Sequence, residues 1–255
     1  MLANHSRAAV GAMLKAISLL AAGLVFANPA GANVYKVTWD LSAADSSLSG
    51  VTPFTADALK VSEMSHIQFT DPFGSFFEHD FAKVTGVLNN GVFSVPTGLN
   101  SDYTVYLDFS GTGNVAVGKY LTANETLYAV KGASILGIDP SNNAFVDNGT
   151  NIAVQLATSS FIWGTVGNTP TGDLFANLSG TFTQNVPNVF YGLPSSALFV
   201  GNFFHSISEP GGVQPVADGF VVKGGDDTLS FVPEPASLLL LVGGLPGLLG
   251  FRRRQ

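Results

Sequence analysis

The sequence contains no cysteine, and this absence removes several classes of protein. A chain without thiols cannot build a disulfide framework, a thiolate zinc site or an iron–sulfur cluster, and it has no cysteine nucleophile. A chain of 255 residues is nevertheless long enough to bury a core without covalent staples. We therefore expect stability to come from packing alone.

Charged residues are also scarce, at 11% of the chain, and the formal net charge is −7. Proteins that bind nucleic acid need a basic surface that displaces counterions, so we predict no nucleic-acid partner. Residues 33–232 hold 17 acidic and 6 basic residues, a net of −11, between two basic ends. Because 46% of the chain is hydrophobic, the low charge does not indicate disorder.

Residues 33–232 show a hydrophobic period of two and almost no helical period. Tyr103, Val105, Leu107 and Phe109, for example, alternate with more polar neighbours. Such alternation is typical of antiparallel sheets with one face on a core. Strands of this kind with a turn every 8 to 15 residues predict an all-β fold, an antiparallel β-sandwich or jelly-roll-like domain.

Turn-forming residues divide this region into short strands. Asn90-Gly91 lies between two apolar runs and predicts a hairpin, because both residues tolerate positive φ. We also expect a turn at residues 111–114. A short helix is plausible only near residues 56–63, where a strand fits almost as well. We expect a single domain from 33 to 232.

The first 32 residues have the organisation of a secretory signal. Arg7 and Lys15 precede an apolar run at 16–26, which is too short to span a bilayer. Small residues at Ala30 and Ala32 predict cleavage by signal peptidase after Ala32. The alternative is a buried helix at the start of the domain.

The end of the chain combines three features in order. Pro233-Glu234-Pro235 is followed by an apolar run at 236–251 and then by Arg252, Arg253 and Arg254. As a single helix the run of 16 residues is about 24 Å long, slightly less than the hydrocarbon core of a bilayer. Terminal arginines stay on the cytoplasmic side, so 233–255 is predicted to be a transient inner-membrane anchor.

This order and spacing resemble the PEP-CTERM sorting signal of Gram-negative bacteria. The resemblance implies recognition by an exosortase and cleavage near the Pro-Glu-Pro motif. It also implies an exported protein of a bacterium that makes exopolysaccharide, biofilm or floc. The alternative is an ordinary single-pass anchor with a chance Pro-Glu-Pro sequence.

The body of the chain is similar in pattern to the flocculation-associated members of that group. The resemblance brings no catalytic motif. It implies a surface or matrix protein through which cells cohere in exopolysaccharide. The residues on which it depends are Val37, Thr38, Trp39, 54–59, Phe182, 188–191, Phe203 and Phe204.

Glu78-His79-Asp80 is the sharpest cluster of candidate ligands. On a strand His79 faces away from its two neighbours, so the three cannot converge on one metal ion, and we interpret the cluster as an exposed loop or strand edge. No nucleophile elbow of a serine hydrolase is present. Paired carboxylates of a glycoside hydrolase remain open, with Asp71, Glu78, Asp80 and Asp108 as candidates.

Calcium is the most reasonable ion for an exported protein, because hard cations take oxygen ligands. The segment 224–229 resembles one end of a Gly-Gly-x-Gly-x-Asp repeat, but it occurs once. A turn is the simpler interpretation. If calcium binds, the candidate ligands are Asp218, Asp226 and Asp227. No other cofactor is predicted.

The chain carries 20 Phe, 6 Tyr and 2 Trp, most of which are expected to fill the core. Trp163 or Tyr191, if exposed, offers a platform for sugar rings. The sequence therefore predicts a non-enzymatic protein of the cell surface or extracellular matrix that associates with exopolysaccharide and promotes flocculation or biofilm formation. The alternative is a carbohydrate-binding module or carbohydrate-active enzyme.

Overall fold

A computed structural model describes residues 34–133, 136–138, 145–147, 152–169, 173–195, 197–205 and 212–233. About two thirds of these residues lie in strands. Two short 3-10 helices, Leu41–Ala43 and Ser46–Leu48, are the helical elements of the described part. Side chains of Asp40 and Asp45 accept hydrogen bonds from Ser42 N and Ser47 N at their first turns, the usual N-cap arrangement.

The described residues contain fifteen strands. Their bounds are β1 Val37–Trp39, β2 Phe54–Ala56, β3 Ala58–Phe69, β4 Ser75–Asn89, β5 Val92–Ser94, β6 Tyr103–Asn114, β7 Lys119–Lys131, β8 Leu136–Ile138, β9 Phe145–Asp147, β10 Val154–Asn168, β11 Leu174–Gln184, β12 Phe190–Tyr191, β13 Leu198–His205, β14 Val213–Val216 and β15 Gly219–Val232.

Eight long strands close into an antiparallel barrel in the order β13-β11-β10-β7-β6-β4-β3-β15. The ring is completed by β13 and β15, which pair from Leu198↔Val232 to Asn202↔Thr228. Strands β5 and β14 extend β4 and β15 outside the ring, and β8 and β9 pair in a separate two-stranded sheet. Closure leaves the barrel strands without a free edge.

One end of the barrel is covered by a small sheet of strand order β12-β1-β2. Trp39 on β1 is buried there, stacked on Phe54 and edge-on to Phe190. The rings of Phe182, Phe199 and Phe231 continue this cluster into the barrel. This end is therefore a packed aromatic core.

Alternation along the barrel strands sets which side chains face inward. On β6, Val105, Leu107 and Phe109 are buried in the core, as their period of two predicts. The Asn90-Gly91 hairpin is confirmed between β4 and β5, with φ of 52° and 76° and Asn89 paired to Val92. Both positive φ values fit a type I′ turn.

The all-β, antiparallel prediction is confirmed, but the strands close into a barrel instead of forming the two sheets of a sandwich. No helix forms at 56–63: Ala56 ends β2, Asp57 is a bend, and the other six residues belong to β3. The turn expected at 111–114 lies inside β6. The chain reverses at 115–118, where Asn114 Oδ1 accepts hydrogen bonds from Ala116 N and Val117 N.

The predicted signal at 1–32 lies outside the described residues, including Ala30 and Ala32. The tail does too, with Glu234, Pro235, Arg252, Arg253 and Arg254, and Pro233 is the last described residue. In the part of the chain that the structure describes, no helix is long and apolar enough to cross a membrane.

Candidate functional site

The barrel encloses a cavity of about 260 Å³ at the end opposite the small sheet. Its outer part is lined by half-buried and exposed apolar side chains. They include Phe69, Val115, Val166, Leu174, Phe175 and Phe220. Barrels of eight strands have an interior that is either filled by side chains or holds one small ligand. In this barrel the aromatic end is filled and the other end leaves room.

The inner end of the cavity is acidic. Glu63 on β3 and Glu78 and Asp80 on β4 line it and are at least 95% buried. Asp227 on β15 is fully buried and lies close enough to act electrostatically on Asp80. We call these four residues the acidic floor. Buried carboxyl groups are costly unless they are paired, hydrogen-bonded or protonated, so their presence in a barrel interior requires an explanation.

Strand alternation places the acidic floor. On β4, Phe76, Glu78, Asp80 and Ala82 are all buried in the same phase. On β3, Glu63 continues the inward phase of Leu59 and Val61. Register brings β3 and β4 side by side, with Ser65 opposite Asp80. The carboxyl groups of both strands therefore meet inside the barrel.

Glu78 is held by two hydroxyl groups from different strands. Ser65 Oγ donates to Glu78 Oε1 at 2.6 Å, and Tyr120 Oη donates to Glu78 Oε2. Burial, followed by the charge of Glu78, raises the pKa of Tyr120 well above its usual range. Tyr120 therefore remains a hydrogen-bond donor to Glu78 at physiological pH.

Glycine at position 113 makes room for this arrangement. Gly113 on β6 pairs with Tyr120, and a Cβ atom built on it would lie 2.5 Å from the Cζ atom of Phe76. The Phe76 ring fills that space and packs edge-on against Tyr120 at 5.3 Å. The small residue in the middle strand thus lets side chains of β4 and β7 touch across β6.

Asp80 differs from Glu78, the other floor residue on β4, in its hydrogen bonding. Its carboxyl group accepts a hydrogen bond from the Met64 backbone N–H, but Oδ1 has no partner among the described residues. Burial raises the pKa of Asp80 well above its usual range, and the charges of Glu63, Glu78 and Asp227 raise it further. Asp80 therefore keeps its proton to a higher pH than an exposed aspartate does.

The interpretation of Glu78-His79-Asp80 as an exposed loop or strand edge is wrong for its two carboxylates. The segment lies in β4, which pairs with β3 and β6 on either side. The expectation that His79 faces away from them is confirmed. His79 Nε2 lies 3.0 Å from Asp108 Oδ1, outside the barrel.

The four candidate glycosidase carboxylates do not converge. Asp108 and Asp80 belong to opposite faces of the wall, and Asp71 accepts hydrogen bonds from Phe73 N and Ser75 N in the turn before β4. Only Glu78 and Asp80 lie together. Among the described residues no group of three His, Asp or Glu side chains is arranged to hold a metal ion.

The calcium candidates are also separated. Asp218 lies in the turn before β15, where it accepts a hydrogen bond from Gln68 Nε2 at 2.8 Å. Asp227 lies inside the barrel and accepts one from Phe204 N at 2.8 Å. Gly219, next to Asp218, pairs with Gln68 on β3, and Asp227 pairs with Val61. Gln68 and Val61 are seven residues apart, so Asp218 and Asp227 are separated by roughly 20 Å at about 3.3 Å per residue. They cannot share one ion, and the side chain of Asp226 lies outside the description.

Trp163 and Tyr191 are both exposed, as a sugar platform requires, with 38% and 48% of their surface accessible. Trp163 pairs with Ser179 in the barrel wall, whereas Tyr191 pairs with Thr38 in the small sheet. They therefore belong to different sheets, and no described contact joins them into one platform.

The sequence does contain a signal for the acidic floor. The residues Leu59, Val61 and Ile67 are apolar and share one phase of β3, and Glu63 and Ser65 occupy that same phase. A carboxylate inside an apolar phase indicates a buried polar group. On β4 the same signal is visible only when Glu78 and Asp80 are considered together with Phe76 and Ala82, which share their phase, and not as part of a local triplet with His79.

A scan against protein-family models, a search of curated proteins and a search of solved structures find no match to this chain.

Proposed function

We propose that this chain is an exported, non-enzymatic binding protein of the cell surface or extracellular matrix that holds one small, mostly apolar ligand inside its barrel. The observation that carries the proposal is the 260 Å³ cavity with its apolar outer part. A pocket lined mainly by apolar and aromatic groups with a few convergent polar groups is typical of small-molecule sites. A cavity of about 150 Å³ accommodates benzene, so this one suits a larger molecule.

Filling the cavity tests the proposal. N-phenyl-1-naphthylamine, an uncharged dye whose emission increases in apolar surroundings, is expected to bind the purified chain. Ala176 lines the cavity, and Ala176→Phe is expected to weaken dye binding at least about tenfold, equivalent to 1.4 kcal/mol. Fluorescence titration measures both affinities.

Ala116→Phe is the matched control, because Ala116 is exposed in the turn after β6 and does not line the cavity. It is expected to bind the dye as the unmodified chain does. Equal binding by both variants, or no binding by the unmodified chain, would show that the cavity is not a ligand site. Far-UV circular dichroism checks that the variants are folded.

The second candidate function is association with exopolysaccharide, which promotes flocculation or biofilm formation. It is supported by the Pro233-Glu234-Pro235 tail and its terminal arginines. Exposed Trp163 and Tyr191 offer separate sites for stacking on sugar rings. In this proposal signal peptidase removes 1–32 and an exosortase cleaves near the Pro-Glu-Pro motif. The inner membrane holds the chain only transiently.

Removal of residues 233–255 tests the sorting proposal. We expect the shortened protein to be lost from the surface fraction, because the exosortase no longer has a recognition segment. Immunodetection in membrane, surface and medium fractions measures delivery, with the full chain as control. Floc formation in a deletion strain should return with the full gene and fail to return with the shortened one. Unchanged delivery would contradict the sorting proposal.

The alternative of a carbohydrate-active enzyme has a simple discriminating test. Incubation of the chain with isolated exopolysaccharide is expected to release no reducing ends, because Glu78 and Asp80, the candidate carboxylates that lie together, are at least 95% buried inside the barrel. Release of reducing ends that disappears in Glu78→Gln would favour the enzyme.

A further inference from the structure

We propose that the ligand of the barrel cavity is a small amphiphile with one protonated amine, whose ammonium group lies against the Asp80 carboxyl group and whose apolar body fills the outer part. The inference rests on the proposed ligand-binding function and adds the chemical class of the ligand. It follows from the charge of the acidic floor, the open hydrogen-bonding position of Asp80 and the lining of the rest of the cavity.

The charge of the cavity lining favours a cationic ligand. Three of the four floor residues, Glu63, Glu78 and Asp80, line the cavity, and no Lys, Arg or His is among the described residues that do so. Like charges in a low-dielectric interior repel strongly. A cationic ligand would supply the opposite charge that the lining lacks, whereas a carboxylate or phosphate ligand would add to the repulsion.

The hydrogen bonding of Asp80 also favours a cationic head group. Each carboxylate oxygen of Glu78 already accepts a hydrogen bond, from Ser65 or Tyr120, and Asp227 does not line the cavity. Asp80 is 98% buried, lines the cavity and keeps Oδ1 without a partner among the described residues. A buried polar atom without a partner is uncommon in native proteins. An ammonium group has three donors and no acceptor. Its positive charge would favour the ionised form of Asp80, whose Oδ1 then accepts one of these hydrogen bonds.

The side chains of the cavity fit an amphiphilic amine better than a metal ion or a sugar. The described carboxylates are not arranged as a metal site. A sugar needs polar partners around its ring, but the outer cavity is lined by groups such as Phe69, Phe175 and Phe220. A single polar end in an otherwise apolar space is the complement of an amphiphile with one head group.

Three compounds with the same apolar body test the inference. They are 4-phenylbutylamine, 4-phenylbutan-1-ol and 4-phenylbutyrate, which present an ammonium, a hydroxyl and a carboxylate. Calorimetry with the purified chain is expected to give the amine about tenfold tighter binding than the alcohol, because a hydrogen bond to a charged group is stronger than a neutral one. The carboxylate is expected to bind most weakly.

Asp80→Asn is expected to abolish the preference for the amine and to leave binding of the alcohol. The matched control is Asp108→Asn on the outer face of the wall, which should keep the preference. If the Asp80 variant does not fold, the ratio of the affinities of the unmodified chain for the amine and for the alcohol still tests the inference. Equal binding of all three compounds would overturn the amine inference and leave the binding function intact. Failure of both the compounds and the dye to bind would overturn the proposed function itself.

Discussion

Replacing Trp39 with alanine is expected to lower the free energy of unfolding by about 3–5 kcal/mol, the range found when a buried large aromatic is truncated. Trp39 is 1% exposed, and its ring lies 5.8 Å from that of Phe54 and 4.8 Å from that of Phe190. The variant removes the indole ring from the centre of the aromatic cluster that fills this end of the barrel. Urea unfolding followed by far-UV circular dichroism measures the loss.

The other tryptophan of the chain is the matched control. Trp163 is 38% exposed on the barrel wall, so Trp163→Ala removes the same number of atoms from a site that is less buried. We expect Trp163→Ala to lower the free energy of unfolding by about 1 kcal/mol. Equal losses in the two variants would mean that the small sheet does not close the barrel as described.

Replacing Glu125 with glutamine is expected to stabilise the protein above neutral pH. Burial raises the pKa of Glu125 from 4.5 to about 7. The folded state therefore binds this proton more tightly than the unfolded state, and stability falls as the pH rises through this range. Once the group is ionised in both states, the difference in pKa corresponds to about 3 kcal/mol of lost stability.

Glutamine carries no titrating proton, so the variant should lose this contribution to the pH dependence. At pH 8 we expect it to be more stable than the unmodified chain by up to about 3 kcal/mol, with little difference at pH 4. Glu125→Asp is the control, because it keeps a titrating carboxyl group at the same buried position. Denaturant unfolding across pH 4–8 measures all three chains. An identical pH slope for the glutamine variant would show that Glu125 does not titrate as described.

Local features of the fold could be predicted from the sequence. Alternation through Tyr103, Val105 and Leu107 indicates a strand because side chains of a strand point to opposite faces in turn. The hairpin at Asn90-Gly91 follows from the backbone freedom of two residues. Both signals lie within a few neighbouring residues, so no knowledge of distant contacts is needed.

Closure of the barrel could not be predicted in the same way. It depends on the pairing of Phe199 with Phe231 and of Gly201 with Leu229, which joins strands about thirty residues apart. A sandwich and a barrel both present alternating strands, so the pattern alone does not separate them. The pairing of β13 with β15 distinguishes the barrel from the sandwich, and no short sequence motif predicts this pairing.

Backbone irregularity explains the error at the calcium candidates. The sequence favours a turn at the glycines 224 and 225, but they form a bulge within β15, where the register against β3 shifts between Gly224 and Asp227. A bulge changes the phase of the strand by one residue. It turns Asp227 into the barrel, opposite Val61, and thereby creates part of the acidic floor. Sequence alternation alone cannot locate such a shift.

The most direct test of the account is a crystal structure of the chain grown with 4-phenylbutylamine. We expect the ligand inside the barrel, with its nitrogen about 2.7–3.2 Å from Asp80 Oδ1 and its ring packed against the adjoining rings of Phe69 and Phe220. A cavity filled by repacked side chains, or a ligand bound only on the outer surface, would contradict the account.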